Sequence, residues 1–291
     1  MTIATLIAAG RLDESLLGGT RERLADNGLA IRVAGWIESG SAIDLDIDGD
    51  GPAIRAALEG WEGVDIAPHP PRLHDKGLFV ADMDSTMIGQ ECIDDLADYA
   101  GVKAEVAGIT ERAMRGELDF VAALAERVAL LVGLDQAAIG RCLDERVRPN
   151  PGARTLVRTL SARGIRTVLV SGGFTAFANP VGTELGFDEV RANTLGLADG
   201  KLTGTTVGSI VDSRTKAEIL ETNRVALGLD AAQTMAIGDG ANDAPMVAAA
   251  GFGVGYRPKP ALAAVADAVL LHHPLDALLW VLGIPRRDWI I

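Results

Sequence analysis

Two carboxylates two residues apart, Asp82 and Asp84, follow the apolar run Leu78–Ala81 in the segment Phe79-Val-Ala-Asp82-Met-Asp84-Ser-Thr86. An open parallel sheet binds its ligands at the C-terminal ends of its strands, so acids at such an end sit where chemistry is done. An Asp-x-Asp alone is also an ordinary polar exit from a strand, and the later strand ends decide between the two. Val170-Ser171-Gly172-Gly173 offers a small hydroxyl followed by glycines whose N–H groups can approach an anion closely. Gly238-Asp239-Gly240-Ala-Asn242-Asp243 offers two more carboxylates and an amide on a tight glycine turn. So much oxygen-ligand density at one rim repels itself unless a hard cation is present. Mg2+, which takes a few carboxylates plus water and phosphate oxygens, fits that composition.

Other candidates have plain structural accounts when taken singly. Lys216 lies in Asp212-Ser213-Arg-Thr-Lys216, where Ser213 reads as a helix N-cap and Lys216 as the third helical residue. The helix dipole disfavours a cation there, and beside the carboxylate rim its work would be to neutralise a nucleophile and a phosphoryl group. Arg127 falls on an apolar stripe with Phe120, Leu124 and Leu131. Such an arginine either snorkels outward or faces a cleft and grips a carboxylate. Glu91 opens a helix, which needs no functional explanation. Gly251-Phe-Gly253-Val-Gly255 lacks dinucleotide-binding spacing and reads as close backbone packing; the four histidines lack metal spacing, and Cys92 reads as a small core residue.

These residues need a frame. Strand-like runs at Leu78–Ala81, Arg166–Val170, Thr234–Ile237, Gly251–Val254 and Ala268–Leu271 alternate with helical segments such as Ala153–Arg163 and Thr215–Leu227, which specifies a parallel sheet covered on both faces, an α/β domain. The strand ends Asp82 and Ser171 lie about 90 residues apart, whereas a strand–helix–strand unit takes about 30. Helical patterns at roughly 91–100, 103–114 and 119–132 fill that gap and predict a lid above the sheet edge. A smaller insertion, Asn193–Gly204, carries Asp199-Gly200, a two-residue hairpin signal.

Residues 1–70 read differently. The strand run Thr5–Ala9, the helix Glu14–Asn27, two strands within Ala30–Asp48, a short helix from Pro52 and the run Val64–Ala67 give the order βαββαβ of a small α+β ferredoxin-like module. Asp44-Leu-Asp-Ile-Asp-Gly-Asp-Gly51 imitates a calcium loop, but Arg55 stands where the bidentate glutamate belongs, and a half-exposed strand with a glycine turn is the better account. His69-Pro70-Pro71 forms a joint, with the module boundary near residue 75.

Composition bounds the rest. The chain of 291 residues has 27 Lys plus Arg against 40 Asp plus Glu, and its net charge of −13 argues against gripping a nucleic-acid backbone or an anionic membrane. Two cysteines make neither a disulfide framework nor a closed zinc site and suit a reducing compartment. The N-terminus reads as no signal peptide. The apolar stretch Ala261–Ile284 contains Asp267, His272, His273 and Asp276, which a lipid-spanning helix would not tolerate. A cytoplasmic protein is expected.

The ordered set Asp82-Met-Asp-Ser-Thr86, Ser171-Gly-Gly173, Lys216 and Gly238-Asp-Gly-Ala-Asn-Asp243 resembles the motifs of haloacid dehalogenase (HAD) superfamily phosphatases. More narrowly, with Glu91, the run Met114-Arg-Gly-Glu-Leu-Asp-Phe120, Arg127-Val128 and Phe174, the chain is similar to the phosphoserine phosphatase family. The resemblance implies a HAD-like Rossmannoid parallel sheet in residues 76–291 with a helical cap at about 88–148, preceded by an ACT-like module in residues 1–75. It implies hydrolysis of O-phosphoserine to serine and phosphate through an aspartyl phosphate, the last step of L-serine biosynthesis, with Mg2+ as cofactor. Asp82 would be nucleophile and metal ligand, Asp84 general acid/base and ligand through its backbone carbonyl, and Asp239 the remaining protein ligand. Ser171, the Gly172 N–H, Lys216 and Asn242 would hold the phosphoryl oxygens, Glu91 the substrate ammonium and Arg127 its carboxylate. Asp243 stays open between direct ligand and outer support. Met83 stands where the family often has Phe. An amino-acid effector such as serine at the N-terminal module, and a homodimer, are further expectations. The alternatives are a HAD phosphatase or phosphotransferase acting on another small phosphomonoester, or a catalytically silent amino-acid-binding regulator.

Overall fold

A computed structural model describes residues 2–71, 75–115 and 117–291. The expected boundary at 75 adjoins residues 72–74, which with Met1 and Gly116 lie outside the described residues, as does the side chain of Met114.

The N-terminal part runs β1 (Thr2–Ile7), α1 (Glu14–Asp26), β2 (Ile31–Glu38), β3 (Ala42–Ile47), α2 (Gly51–Leu58) and β4 (Asp65–His69), the element order expected from the sequence. Its strands lie in the antiparallel order β2-β3-β1-β4. Alternation sorts the two faces. Ala4, Leu6, Ile43, Leu45 and Ile47 pack with Leu17, Leu24, Ile54 and Leu58 of the two helices. Asp44, Asp46 and Asp48 alternate out of that core, as expected of a half-exposed strand.

The second part continues as β5 (Leu78–Asp82), α3 (Cys92–Ala100), α4 (Lys103–Met114), α5 (Phe120–Ala129), α6 (Ala137–Glu145), α7 (Ala153–Ala162), β6 (Arg166–Phe174), α8 (Thr175–Leu185), β7 (Glu189–Ala198), β8 (Lys201–Val207), α9 (Ser213–Ala226), β9 (Thr234–Gly238), α10 (Ala244–Ala249), β10 (Gly253–Tyr256), α11 (Pro260–Ala263), β11 (Ala268–Leu270) and α12 (Ala277–Val281). Strands β11-β10-β9-β5-β6-β7 are parallel, and β8 closes that end as the antiparallel partner of β7. From β5 the chain builds outward through β6 and β7, then returns to lay β9 on the other flank. β5 therefore stands at the switch point where such sheets hold ligands. It is buried on both faces: Phe79 and Ala81 join the core beneath the lid, and Leu78 and Val80 the core beneath α9 and α10.

The lid holds four helices, one more than the sequence patterns predicted; α6 lies beyond the third. Its two connections to the sheet are clipped together. Asn150 donates through Nδ2 to Thr86 O at 2.7 Å and Ile88 O at 3.1 Å, and Gly89 N–H donates to Arg148 O. The predicted hairpin is present, with Asp199 and Gly200 at φ 51 and 75, the left-handed pair a two-residue turn requires. The glycines of 251–255 are packing glycines as expected: a Cβ on Gly251 would stand 2.2 Å from Ala231 O.

All the strands form one sheet of eleven, because β4 pairs with β11 through Ile66 and Val269. Asp65 fastens that seam, accepting the N–H groups of Leu271, His272 and His273 and bonding His273 Nδ1 at 2.8 Å. Among the described residues no helix is long and apolar enough to cross a membrane.

Candidate active site

The site grows from the end of β5. Asp82, its last residue, is 3% exposed, and the chain then turns sharply through Ser85 at φ 56. That turn brings Asp84 back beneath the lid. Its Oδ1 accepts the N–H of Cys92 at 3.1 Å and its Oδ2 the hydroxyl of Ser171 at 3.3 Å. Ser171 in turn accepts the Gly173 N–H at 2.8 Å. A Cβ at position 173 would lie 2.8 Å from Asp84 Oδ2 and 3.0 Å from Ser171 Oγ, so glycine lets these two groups keep their places.

Lys216 is sealed at 1% exposure, with Nζ 2.5 Å from Asp82 Oδ1 and 2.7 Å from Asp243 Oδ1. The helix that delivers it starts one residue earlier than expected. Asp212, in extended conformation, accepts the Thr215 N–H at 2.8 Å and is the N-cap, so Ser213 is the first helical residue and Lys216 the fourth. Asp243 Oδ2 also accepts the N–H groups of Asp239 and Gly240 at 3.2 and 3.1 Å.

Asp82, Asp239 and Asp243 each bring a buried carboxylate oxygen within 4.8 Å of the others. This set of hard oxygens suits a hard cation. The Asp84 carboxylate is not in that group, being held by Cys92 and Ser171.

A cavity of about 420 Å3 opens above these acids. Asp82, Asp84, Asp239, Asn242 and Gly172 line its floor, and Glu91, Phe120, Leu124 and Arg127 descend from the lid. Every predicted site residue therefore lies on the cavity or, for Ser171 and Lys216, in hydrogen-bond contact with a residue that does. Arg127 turns inward, its Nε donating only to Ala123 O at 3.2 Å. Glu91 accepts the Ser85 hydroxyl at 2.8 Å.

Electrostatics follow from crowding. Burial, then the charge of Asp243, pushes the Asp82 carboxyl well above its ordinary range, with Lys216 opposing. Burial likewise raises Asp84 despite its hydrogen bonds, and raises Asp239 despite Lys259. Glu91 is carried up to about 7 by desolvation in the cleft and by Asp84. Burial lowers the Arg127 guanidinium. Lys216 is held as an ammonium, its burial outweighed by Asp243 and Asp82.

Three contributors carried no prediction. The Cys92 backbone N–H has no side-chain signature. Asn193 ties the floor together from β7, donating to Gly172 O and accepting the Val211 N–H. Lys259, 3.2 Å from Asp239 Oδ2, follows β10 at the same sheet edge, and that placement was the signal available for it.

The sequence pattern of the haloacid dehalogenase-like hydrolases matches residues 79–248. A phosphoserine phosphatase of Streptomyces coelicolor is 46% identical over 228 residues, covering 78% of this chain and 55% of that protein, so the matched part spans about half of that relative's length. One of Polaromonas is 44% identical over 221 residues, covering 74% of this chain and 94% of its own. The structure described as a probable phosphoserine phosphatase of Vibrio cholerae superposes with a TM-score of 0.79 at 32% identity, covering 99% of this chain and 88% of that one. The arrangement of acids around β5 and these likenesses agree: the chain belongs to the haloacid dehalogenase-like hydrolase family.

Proposed function

We propose that this chain hydrolyses O-phosphoserine to serine and inorganic phosphate through an aspartyl phosphate on Asp82. The observation that carries the reading is one cavity with a carboxylate, Glu91, and a guanidinium, Arg127, on its lid wall and Asp82 on its floor. An ester bearing both an ammonium and a carboxylate satisfies the two lid charges, and its phosphoryl group then faces the floor.

The residues act in sequence. Lys216 favours the charged form of Asp82 against its burial and aims it, and Asp243 holds Lys216 in place. Asp82 attacks phosphorus in line while Ser171, the Gly172 N–H, Asn242 and Lys216 balance charge on the phosphoryl oxygens. Asp84, whose burial favours the protonated form, delivers a proton to the departing serine oxygen. It then takes a proton from the water that attacks the aspartyl phosphate, and Asp82 is regenerated. Mg2+, held by Asp82, Asp239 and the backbone carbonyl of Asp84, would supply further neutralisation of the phosphoryl charge. Asp243 would support this group from outside, one oxygen holding Lys216 and the other the N–H groups of the turn after β9.

Residues 76–291 form the catalytic part in this reading, with the cap at about 88–148, and residues 1–75 form an ACT-like module that answers to an amino acid such as serine. The test is phosphate release from a panel of small phosphomonoesters with Mg2+. Phosphoserine should lead the panel, and Arg127→Ala should lower its kcat/KM by about a hundredfold, the scale of a lost charge-assisted contact. An ester without a carboxylate should lose no more than about threefold in the same variant. Unaltered phosphoserine turnover in Arg127→Ala would refute the assignment.

A further inference from the structure

The rim carries one cation that the mechanism leaves unused. Lys259 lies in Arg257-Pro258-Lys259-Pro260, after β10, with its amine 3.2 Å from Asp239 Oδ2 and on the wall of the cavity. The backbone fixes where that amine can reach. Arg257 is in the left-handed region at φ 43, a proline stands on either side of Lys259, and the Lys259 N–H donates to Asp239 O at 2.8 Å. The lysine is thus tied by its main chain to the residue that its side chain pairs with.

The ammonium itself has room to move. The Lys259 side chain is 59% exposed, against 9% for Asp239. Lys216 has no such freedom, being sealed between Asp82 and Asp243. Asp239 Oδ1 faces the Thr86 hydroxyl at 3.5 Å, and Oδ2 carries Lys259. A divalent cation on Asp239 and this ammonium would stand a few ångströms apart and repel one another.

We propose that Lys259 competes with the divalent cation for Asp239, and so sets how tightly that cation is held. It yields the carboxylate and swings toward solvent when the cation binds. The proposal rests on the reading of Asp239 as a cation ligand. Lys259 is then a positioning residue that limits metal affinity in a cleft with an excess of acids.

Calorimetric titration of Mg2+ into the full chain without substrate tests it directly. The cation must break the Lys259–Asp239 pair and is then repelled by the displaced ammonium, and at water-like dielectric the two costs together are worth up to roughly tenfold in affinity. Lys259→Met and Lys259→Gln should therefore bind Mg2+ about tenfold more tightly than the unaltered protein at low salt. Lys259→Arg, which keeps the charge, should stay within about twofold. The gap should narrow as KCl is raised, because an exposed charge is screened; a purely structural role would not respond in this way. Thermal unfolding identifies any variant that fails to fold, and the other neutral variant then carries the test. Equal or weaker Mg2+ binding by a folded neutral variant overturns the competition. Unchanged binding by Asp239→Asn overturns instead the underlying assignment of Asp239, so the two failures are separable.

Discussion

Asp243 uses both oxygens: one accepts the Lys216 ammonium, and the other accepts two backbone N–H groups of the β9 turn. Removing that carboxylate leaves the buried Lys216 with one carboxylate in place of two and two buried N–H groups without an acceptor, which costs about 3 kcal/mol. Asp243→Ala should lower the free energy of unfolding in urea by that amount and abolish turnover as Lys216 loses its anchor. Glu91 gives a pH signature. Its carboxyl, raised to about 7, is ionised only above that pH, so an ammonium loses its partner as pH falls through 7. The kcat/KM of phosphoserine, relative to a matched ester without the ammonium, should fall toward acid below pH 7, and Glu91→Gln should flatten that ratio. Asp82, Ser171 and Asp239 were readable because strand ends announce themselves by glycines and polar residues after apolar runs. The burial of Lys216 was not, since a lysine in the first turns of a helix is as readily exposed; only the tertiary meeting of Asp82 and Asp243 decides it.

Among the elements, the lid depends on how its two connections are joined. Asn150 donates to both Thr86 O and Ile88 O while its own N–H reaches Met87 O. Asn150→Ala leaves two carbonyls short of a donor and should destabilise the fold by about 1–3 kcal/mol, measured by urea unfolding. The opposite side of the lid rests on the hairpin, where Gly133 N–H donates to Leu202 O and Leu202 N–H to Leu134 O. Gly204 sits there at φ 76, and a Cβ would lie 3.0 Å from Val132 Cβ. Gly204→Ala should therefore cost about 1 kcal/mol or more in the same measurement. The hairpin could be read from Asp199-Gly200, because turn chemistry is local. Helix α6 was the harder to read: it is only Ala137–Glu145 and contains Gly140, and its one local mark is Asp135, whose Oδ1 accepts the Ala137 N–H at 2.7 Å.

Across the whole molecule, the sequence suggests two modules joined by prolines, and the structure adds that they share one sheet. Ile7, Ala42 and Ala67 of the N-terminal part enter the core of the second part, and Asp65 holds the seam. Such a seam is unreadable in sequence because a single strand pair and a buried aspartate have no local pattern. Burial opposes the Asp65 charge, but His273 and the backbone N–H groups outweigh it and hold its pKa below the ordinary value. A carboxylate with a depressed folded-state pKa stabilises above its unfolded value, near 3.8. That stability is lost as pH falls from there through the folded value. Asp65→Asn should thus cost about 3 kcal/mol near neutral pH, with the difference from the unaltered protein shrinking below pH 4 in urea unfolding. The functional account converges on the end of β5. Phosphate release from phosphoserine by Asp82→Asn, with Mg2+ and with folding checked by circular dichroism, measures it most directly. A loss of a thousandfold or more is expected, since the amide cannot form the acyl phosphate; turnover near that of the unaltered protein would contradict the account.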